Sequence, residues 1–544
     1  MRTWLFTTIC LHLVFTCGTT IADNQETCNI SSAHIADDSP GSIRFWGSET
    51  AALYTKEIDE SYKEVLRINY VSDTSTGFPL GFLRASQPPF GWNDTFWTRD
   101  GGTFMRELTM WGYLEHACLT AKCLINLVQL NDEGFYAFPE YLKANEPRAG
   151  TEMDGTTSII IGMVLLWERL PQDHPCKETL YNFLHQQASP VRYILKQLDN
   201  APLIEGSGEF GGGCGIPGLH YNVVQNNLAV LALLAAANME SAAGDADMAK
   251  LYRQGAEKLS KNMEKYLVNE DGTWIWCIDP KTLKPDPAIV DHIINKGFGG
   301  INGPGCMYTD VLGFYAKPSA LVTIEHSRKT FEKLYNKPLR KQQFDKYGIW
   351  TQFDEYGAGL VTSPSYGQCY ALQAMLFFDK LDMADKAIEF LANATYNPPK
   401  EYKLDRSSNY YFYERMYSPD AAGKISLEQG CGALNLINVT ESLKIARLIL
   451  GVDDTSPEEV MIIPRIPPSW KGVEATNWPI RTNTGIVRAD IHFAREDGNY
   501  KFTLKLKPGQ IIPKLTIRMP SASGNSWHKK NNASDVNISS TISN

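Results

Sequence analysis

The chain has 544 residues, of which 43% are hydrophobic and 11% aromatic, and this length and apolar content predict a large folded core. Its formal net charge of -9 at pH 7 argues against a nucleic-acid partner, because a phosphate-binding surface needs an excess of lysine and arginine. A neutral ligand is compatible with this mild charge.

The first 22 residues have the pattern of a secretory signal peptide. A basic residue, Arg2, precedes an apolar run that extends to Phe15, and small residues lead to Ala22. We therefore expect cleavage near Ala22 and a secreted, extracellular protein. No later segment has the roughly 18 uninterrupted apolar residues that a membrane helix requires, so no membrane partner is predicted. Residues 23–47 are predicted to be an irregular N-terminal lead.

Asparagine and cysteine usage fits a secreted glycoprotein. The Asn-x-Ser/Thr triplets without proline begin at Asn29, Asn93, Asn393, Asn438, Asn532 and Asn537. Of the 11 cysteines, Cys10 and Cys17 belong to the signal segment, which leaves an odd number for disulfide bonds. Disulfides are expected in an oxidising compartment, but these spacings do not define their connectivity.

Residues 48–452 have helical periodicity, and several helices arrive as pairs. The segment "YALQAMLFFDKL" is apolar nearly all round, and "ADKAIEFLANA" after it is amphipathic with exposed charge. An apolar helix followed by an amphipathic one predicts an inner and an outer layer. About a dozen such helices with elaborate loops predict a mainly α, (α/α)6 toroid. The alternative is an irregular helical array, whereas the lack of a fixed period argues against a solenoid.

The character of the sequence changes after about residue 453. Residues 453–520 are rich in Val, Ile and Thr, alternate apolar with polar residues, and contain the turn signals "DGN" and "KPG". They predict a small C-terminal β domain. Residues 521–544 are rich in Ser and Asn and contain two of the triplets, so we expect a disordered, glycosylated tail.

The stretch "FWTRDGG" contains Trp97, Arg99 and Asp100 just ahead of a predicted helix. Asp100 could be a helix N-cap, with Trp97 buried. Alternatively, Trp97 supplies an apolar face for a sugar ring, while Arg99 and Asp100 form charge-assisted bonds to its hydroxyl groups. A second polar loop, "TEMDGTTS", places Asp154 at another helix start.

Acidic residues recur in the loops that a toroid would bring together. Glu205 and Glu209 lie in "IEGSGEFGGGCG", Glu414 lies between aromatics in "YYFYERMY", and Glu428 lies in "SLEQGCG". Hydrolysis of a glycosidic bond requires one protonated and one ionised carboxyl group, and Glu209 and Glu414 are the candidate pair. For any single glutamate, the alternative is a solvated loop residue.

Other chemistries lack their motifs. The chain has no P-loop, no HExxH and no Gly-x-Ser-x-Gly elbow, and its glycine-rich loop does not lie in a βαβ pattern. No histidine pair has metal-ligand spacing. We therefore predict neither a cofactor nor a metal.

The order of these motifs resembles the six-hairpin glycosidases over roughly residues 45–450. Within these enzymes, the chain is most similar to the glucoamylase family. The similarity rests on "FWTRDGG", then "MDGTTSIIIGMVLLWERL", then a Glu-bearing loop before "NNLAVLALLAAA", and finally an aromatic-Glu loop before the last helices. That family has Trp-Glu-Glu where this chain has "SGEFGGG". The segment "IIPRIPPSWKGVEATNWPIRT" resembles the C-terminal β cap of rhamnosidases and disaccharide phosphorylases.

The resemblance implies roles for individual residues. In such enzymes an Arg-Asp pair grips the sugar at its non-reducing end, which would assign this role to Arg99 and Asp100, with Trp97 stacking nearby and Asp154 lining the pocket. The general acid would be Glu209, with Glu205 as the alternative. The general base would be Glu414, with Glu428 as the alternative, and hydrolysis would invert the anomeric carbon.

These observations predict a secreted, exo-acting glycoside hydrolase that acts on an oligosaccharide or polysaccharide. One alternative is a toroid-fold polysaccharide lyase or unsaturated-uronide hydrolase, because "NYYFYER" has tyrosines beside Arg415. A catalytically silent carbohydrate-binding glycoprotein with the same fold is the alternative from a different class.

Overall fold

The computed structural model describes residues 40–89, 91–206, 220–275, 277–285, 324–350, 361–362, 366–396, 415–417, 427–428, 434–521 and 524–541. Residues from Ser39 onward belong to one compact unit. Within the described ranges, no helix combines the length and the apolar content needed to cross a bilayer.

The helical region consists of long helices joined by elaborate loops. Its helices are α1 (Glu49–Ile68), α2 (Thr98–Trp111), α3 (Leu114–Leu127), α4 (Met153–Arg169), α5 (Pro175–His185), α6 (Pro190–Leu198), α7 (Val223–Ala243), α8 (Ala246–Tyr266), α9 (Ile324–Tyr335), α10 (Pro338–Tyr347), α11 (Tyr366–Phe377), α12 (Leu381–Tyr396) and α13 (Leu436–Leu450). Every residue of α2 and α13 is buried, whereas α8 buries one face only.

The fully buried helices form an inner layer. Helix α2 packs against α4, α4 packs against α7, and α13 packs against both α2 and α11. Outside them, α3 contacts α2 and α4, α8 contacts α7, and α12 contacts α11 and α1. This confirms the predicted alternation of inner and outer helices. A further helix that the periodicity predicts near residues 306–315 lies outside the described residues.

Two glycines allow α2 and α4 to approach closely. A Cβ atom on Gly102 would lie 2.7 Å from the backbone carbonyl carbon of Ser158 and 2.8 Å from the backbone nitrogen of Ile159. Across the same contact, a Cβ atom on Gly162 would lie 2.9 Å from the carbonyl oxygen of Gly102. The second glycine of "RDGG" therefore serves helix packing, which draws the N-terminal ends of α2 and α4 together.

Replacing Gly102 by alanine is expected to lower the free energy of unfolding by about 1–3 kcal/mol, because a methyl group there meets backbone that cannot rotate away. Urea unfolding measures this change. Gly255→Ala in α8 is the matched control, since its new methyl group would meet a methyl of the flexible Leu195 side chain. Equal losses in the two variants would contradict the proposed backbone contact.

The strands fall into two C-terminal sheets and three small ones. They are β1 (Ser42–Trp46), β2 (Thr95–Trp97), β3 (Tyr141–Lys143), β4 (Glu205–Gly206), β5 (His220–Asn222), β6 (Cys277–Ile278), β7 (Val361–Thr362), β8 (Arg415–Tyr417), β9 (Leu427–Glu428), β10 (Val452–Ser456), β11 (Glu459–Ile462), β12 (Gly472–Thr482), β13 (Gly485–Glu496), β14 (Asn499–Leu506), β15 (Ile512–Ser521), β16 (Gly524–Ala533) and β17 (Asp535–Thr541). The C-terminal sheets have the orders β1-β12-β13-β14-β17 and β10-β11-β15-β16. All their neighbours are antiparallel except β11 and β15.

Two expectations about the chain ends differ from this architecture. Part of the predicted irregular lead is β1, which buries Ile43 and Phe45 and pairs with β12. The predicted disordered tail forms β16 and β17, and β17 buries Val536 and Ile538 where it pairs with β14. In β17 the Ser/Asn-rich composition concealed a two-residue alternation of buried and exposed residues, and the partner strand β14 lies about 35 residues earlier, whereas β16 forms a hairpin with the preceding β15.

The structure also limits the predicted modifications. Asn438 is fully buried in α13, so it is not accessible for glycan addition in the folded chain, whereas Asn393, Asn532 and Asn537 are exposed. The cysteines in the described residues are all buried, and four of them, Cys118, Cys123, Cys176 and Cys369, are free thiols; the fifth is Cys277. The described residues therefore contain none of the disulfides that we expected.

Candidate functional site

Arg99 and Asp100 lie in the first turn of α2. The guanidinium of Arg99 donates to Oδ1 of Asp100 from Nε at 3.2 Å, and a second nitrogen lies 3.1 Å from the same oxygen. Both side chains are buried. The alternative reading of Asp100 as an N-cap is wrong, because α2 begins at Thr98 with Trp97 in the cap position and without a side-chain cap bond.

Asp154 lies at the start of α4, as predicted, and faces this pair. Its Oδ2 is 3.8 Å from a guanidinium nitrogen of Arg99, and its Oδ1 accepts from the backbone N–H of Gly155 at 2.9 Å. Asp154 is completely buried. The structure thus brings Arg99, Asp100 and Asp154 into one cluster at the adjacent N-terminal ends of two inner helices, where the helix dipoles favour carboxylates.

Glu152 completes this cluster, although the sequence analysis did not select it. It is buried in the N-cap position of α4, where its Oε2 is 3.1 Å from the hydroxyl of Thr98. Burial raises the pKa of Glu152 well above its usual range, and the charge of Asp154 and a hydrogen bond with it raise that pKa further. Glu140 acts in the same direction and Arg99 opposes it. Burial and the neighbouring Asp154 therefore both disfavour a negative charge on Glu152.

Aromatic side chains lie beside the charged cluster. Trp97 is half-buried and has Trp92 edge-on at 5.4 Å and Tyr141 at 5.8 Å between ring centroids. Pairing of β2 with β3 sets Trp97 opposite Tyr141. Trp92 is 46% exposed, which leaves an apolar surface open to solvent beside Trp97, the residue that precedes the first turn of α2. Trp92 was not selected from the sequence, although its indole lies five residues before Trp97.

The N-terminal end of α7 carries a further group of polar side chains. His220, Asn222 and Gln225 are all buried, and Asn226 fixes the preceding segment by bonding the backbone N–H and C=O of Ile204 at 2.8 and 3.0 Å. Strand β4, which contains the half-buried Glu205, pairs with β5 and contacts α4. The loop predicted to carry the general acid thus starts at a strand that contacts α4.

The candidate catalytic pair remains a prediction from the sequence. Glu209 and Glu414 lie outside the described residues. Of their alternatives, Glu205 belongs to β4 and Glu428 belongs to the backbone of β9, which pairs with β8. Position 414 immediately precedes β8 in the sequence. Strand β9 follows β8, and α13 follows β9.

One group in the described residues has donor atoms suited to a metal ion, and it lies among α5, α7 and α8. One donor atom from each of His185, Glu240 and Asp245 lies within 4.8 Å of the others. The buried carboxylate of Glu240 already bonds Nδ1 of His185 at 3.1 Å and accepts from the hydroxyl of Tyr181 at 3.2 Å. These bonds account for its burial without a ligand.

Comparison with known proteins shows likeness in structure alone: no protein-family model and no curated protein matches the sequence. An α-L-rhamnosidase from Dictyoglumus thermophilum is similar with a TM-score of 0.57 at 10% identity, over 92% of this chain and 50% of that one. An α-L-rhamnosidase from Aspergillus terreus has a TM-score of 0.58 at 12% identity, over the same shares. A GH78-family rhamnosidase of Bacillus sp. GL1 has a TM-score of 0.56 at 14% identity, over 88% and 42%.

These likenesses establish the fold. The chain is a mainly α protein built as an (α/α)6 toroid with a C-terminal β region, and the predicted resemblance to six-hairpin glycosidases is confirmed at this level. The alignments with the first two rhamnosidases leave out 8% of this chain, which is less than the C-terminal β region. The likeness therefore covers helical residues and at least part of the C-terminal β region. The chain spans about half the length of these two relatives.

Proposed function

We propose that this protein is a secreted, exo-acting glycoside hydrolase that cleaves a neutral oligosaccharide or polysaccharide with inversion at the anomeric carbon. Glu209 is the general acid, Glu414 is the general base, and Arg99, Asp100 and Asp154 bind the terminal sugar. No cofactor is needed, since two carboxyl groups supply the acid and base for this reaction.

The observation that carries this proposal is the cluster at the N-terminal ends of α2 and α4. One guanidinium lies between two carboxylates, with contacts of 3.1 Å to Asp100 and 3.8 Å to Asp154. Such a set offers both donors and acceptors to sugar hydroxyl groups, and the indoles of Trp92 and Trp97 provide apolar faces beside it. The cluster lies in a fold shared with proteins described as α-L-rhamnosidases.

The charge of the described cluster favours a neutral sugar. Arg99 stands against the carboxylates of both Asp100 and Asp154, so the carboxylate of a uronic acid would meet net negative charge. This argues against a polysaccharide lyase and against an unsaturated-uronide hydrolase, because both classes of enzyme must bind an anionic substrate. The tyrosines of "NYYFYER" lie outside the described residues and provide no structural argument for elimination.

A panel of neutral and uronic-acid-containing oligosaccharides tests the reaction class. The purified protein is incubated with each, and the products are followed by mass spectrometry and by the ultraviolet absorbance of unsaturated uronides. Hydrolysis adds one water to each cleaved bond and gives no new absorbance. Products that absorb without added water would establish elimination. Binding without turnover on any sugar would indicate a carbohydrate-binding protein.

Secretion rests on the predicted signal segment and on the exposed asparagines of Asn-x-Ser/Thr triplets. Expression in a eukaryotic host should release the protein into the medium with its N-terminus near position 23. Treatment with an endoglycosidase should lower its mass. Retention inside the cell at the full mass would contradict this part of the proposal.

A further inference from the structure

The hydroxyl group of Thr98 is surrounded by more acceptors than it can serve. It lies 2.6 Å from the carbonyl oxygen of Pro139, 3.2 Å from that of Glu140 and 3.1 Å from Oε2 of Glu152. A threonine hydroxyl has one hydrogen to donate and lone pairs that accept. The short distance to Pro139 identifies that carbonyl as the acceptor of the hydrogen.

Oε2 of Glu152 therefore faces an oxygen whose hydrogen is already used. Glu152 and Thr98 are both buried, and an ionised carboxylate there would meet a hydroxyl lone pair without water to separate them. A protonated carboxyl removes this conflict, because its O–H can donate. The fit is close: a Cβ atom on Gly155 would lie 2.0 Å from the Thr98 oxygen and 2.7 Å from Oε2 of Glu152.

We propose that Glu152 is a neutral carboxylic acid that acts as a positioning residue: its single O–H donates to Thr98, and its lack of charge leaves Asp154 unrepelled, which together fix the arrangement of Arg99 and Asp100 for a neutral sugar. This inference rests on the proposed function for its link to sugar binding. Its structural part, the protonated acid between α2 and α4, stands independently of that function.

The charged groups around Glu152 all bear on this inference. Asp154 on α4 and Glu140 on the segment before β3 both disfavour a negative charge on Glu152, and Arg99 on α2 favours one. Arg99 also contacts Asp100 and Asp154, so its charge is divided among them. Once Glu152 ionises at high pH, it repels Asp154, and the cluster should lose its arrangement for sugar.

The first test is the stability of Glu152→Gln against the wild type as a function of pH. The folded pKa of Glu152 lies above its usual 4.5, so its favourable contribution is complete below that pH and is lost as the pH rises. Glutamine keeps the size and a donor but does not ionise. Between pH 4 and pH 8, the melting temperature of Glu152→Gln should therefore rise relative to that of the wild type, by on the order of a few °C.

The second test measures sugar binding by titration calorimetry with L-rhamnose and D-glucose as separate probes. Wild-type affinity should fall at least tenfold over the pH range in which the stability difference opens, whereas the affinity of Glu152→Gln should stay constant within about threefold. Glu133→Gln, which changes an exposed glutamate on the loop after α3, is the control and should follow the wild type in both measurements.

The outcomes separate this inference from the proposed function. A stability difference that is flat with pH would overturn the neutral acid. If the stability difference grows with pH but the wild type and Glu152→Gln have the same pH profile of sugar affinity, the positioning role is overturned. If the difference grows but neither probe binds to any variant and the oligosaccharide panel shows no turnover, the proposed function fails, and the protonated acid between α2 and α4 is still supported.

Discussion

Glu414→Gln is expected to lower kcat by about 10²–10⁴-fold, because an amide does not remove a proton from the attacking water. Sugar affinity should remain close to that of the wild type, since Arg99, Asp100 and Asp154 are unchanged. The measurement is kcat together with KM on the oligosaccharide that the panel identifies. A large rise in KM with unchanged kcat would move Glu414 from catalysis to binding.

Glu428→Gln is the matched control, because it changes the alternative candidate for the base. If Glu428→Gln carries the loss and Glu414→Gln does not, the base is Glu428. The same pair of measurements with Glu209→Gln and Glu205→Gln assigns the acid. Early product followed by nuclear magnetic resonance should show inverted configuration, and retained configuration would require a covalent intermediate instead.

Glu107→Gln is expected to lower the free energy of unfolding by about 3–5 kcal/mol, because it removes the carboxylate that pairs with two buried arginines and leaves, among the described residues, only Glu441, 3.8 Å from Arg106, to balance them. Glu107 is fully buried in α2. It accepts from Arg447 in α13 through two nitrogens, at 2.9 and 3.0 Å, and from Nε of Arg106 at 2.9 Å. Urea unfolding at neutral pH measures the loss.

The control for this prediction is Glu474→Gln in β12. Glu474 pairs with Arg44 at 2.7 Å, and 62% of the side-chain surface of Arg44 is exposed. An exposed ion pair of this kind contributes about 0–1 kcal/mol, so the control should unfold near the wild-type midpoint. If the two variants lost the same stability, burial would not be what makes the Glu107 network important.

The difference in free energy of unfolding between Glu107→Gln and the wild type should become smaller at acid pH. Burial disfavours the charge of Glu107, but Arg447 and Arg106 outweigh it and lower its pKa from 4.5 to about 2. The stabilising contribution is therefore complete above pH 4.5 and is lost as the pH falls toward 2. A gap between the two unfolding curves that stays constant from pH 6 to pH 3 would contradict this assignment.

Helix α2 thus combines two functions along its length. Its first turn carries Arg99 and Asp100 at the candidate sugar site, and two turns later Arg106 and Glu107 connect it to α13. The close contact at Gly102 fixes α2 against α4 between these levels. The buried ion network therefore holds α2 against α13 two turns away from Arg99 and Asp100.

Local patterns in the sequence determined most of the fold class. Alternating apolar and amphipathic helices predicted the two helical layers, and two-residue alternation after position 453 predicted the C-terminal strands. The motif "FWTRDGG" identified Arg99 and Asp100, and "MDG" identified Asp154, which the structure brings together. The predictions of the helical layers and of the C-terminal strands succeeded because periodicity is a property of neighbouring residues, whereas the sugar-binding roles of Arg99, Asp100 and Asp154 stay predictions.

Tertiary structure alone decided the remainder, because partners that are distant in sequence leave no local pattern. Glu107 and Arg447 pair across 340 positions, and β1 joins β12 across more than 400. The raised pKa of Glu152 depends on its burial and on Asp154, and its Oε2 lies beside the hydroxyl of Thr98, 54 positions away. Nothing in "TEMDG" distinguishes this glutamate from a solvated one, because the pKa of a carboxyl group is set by what folds around it.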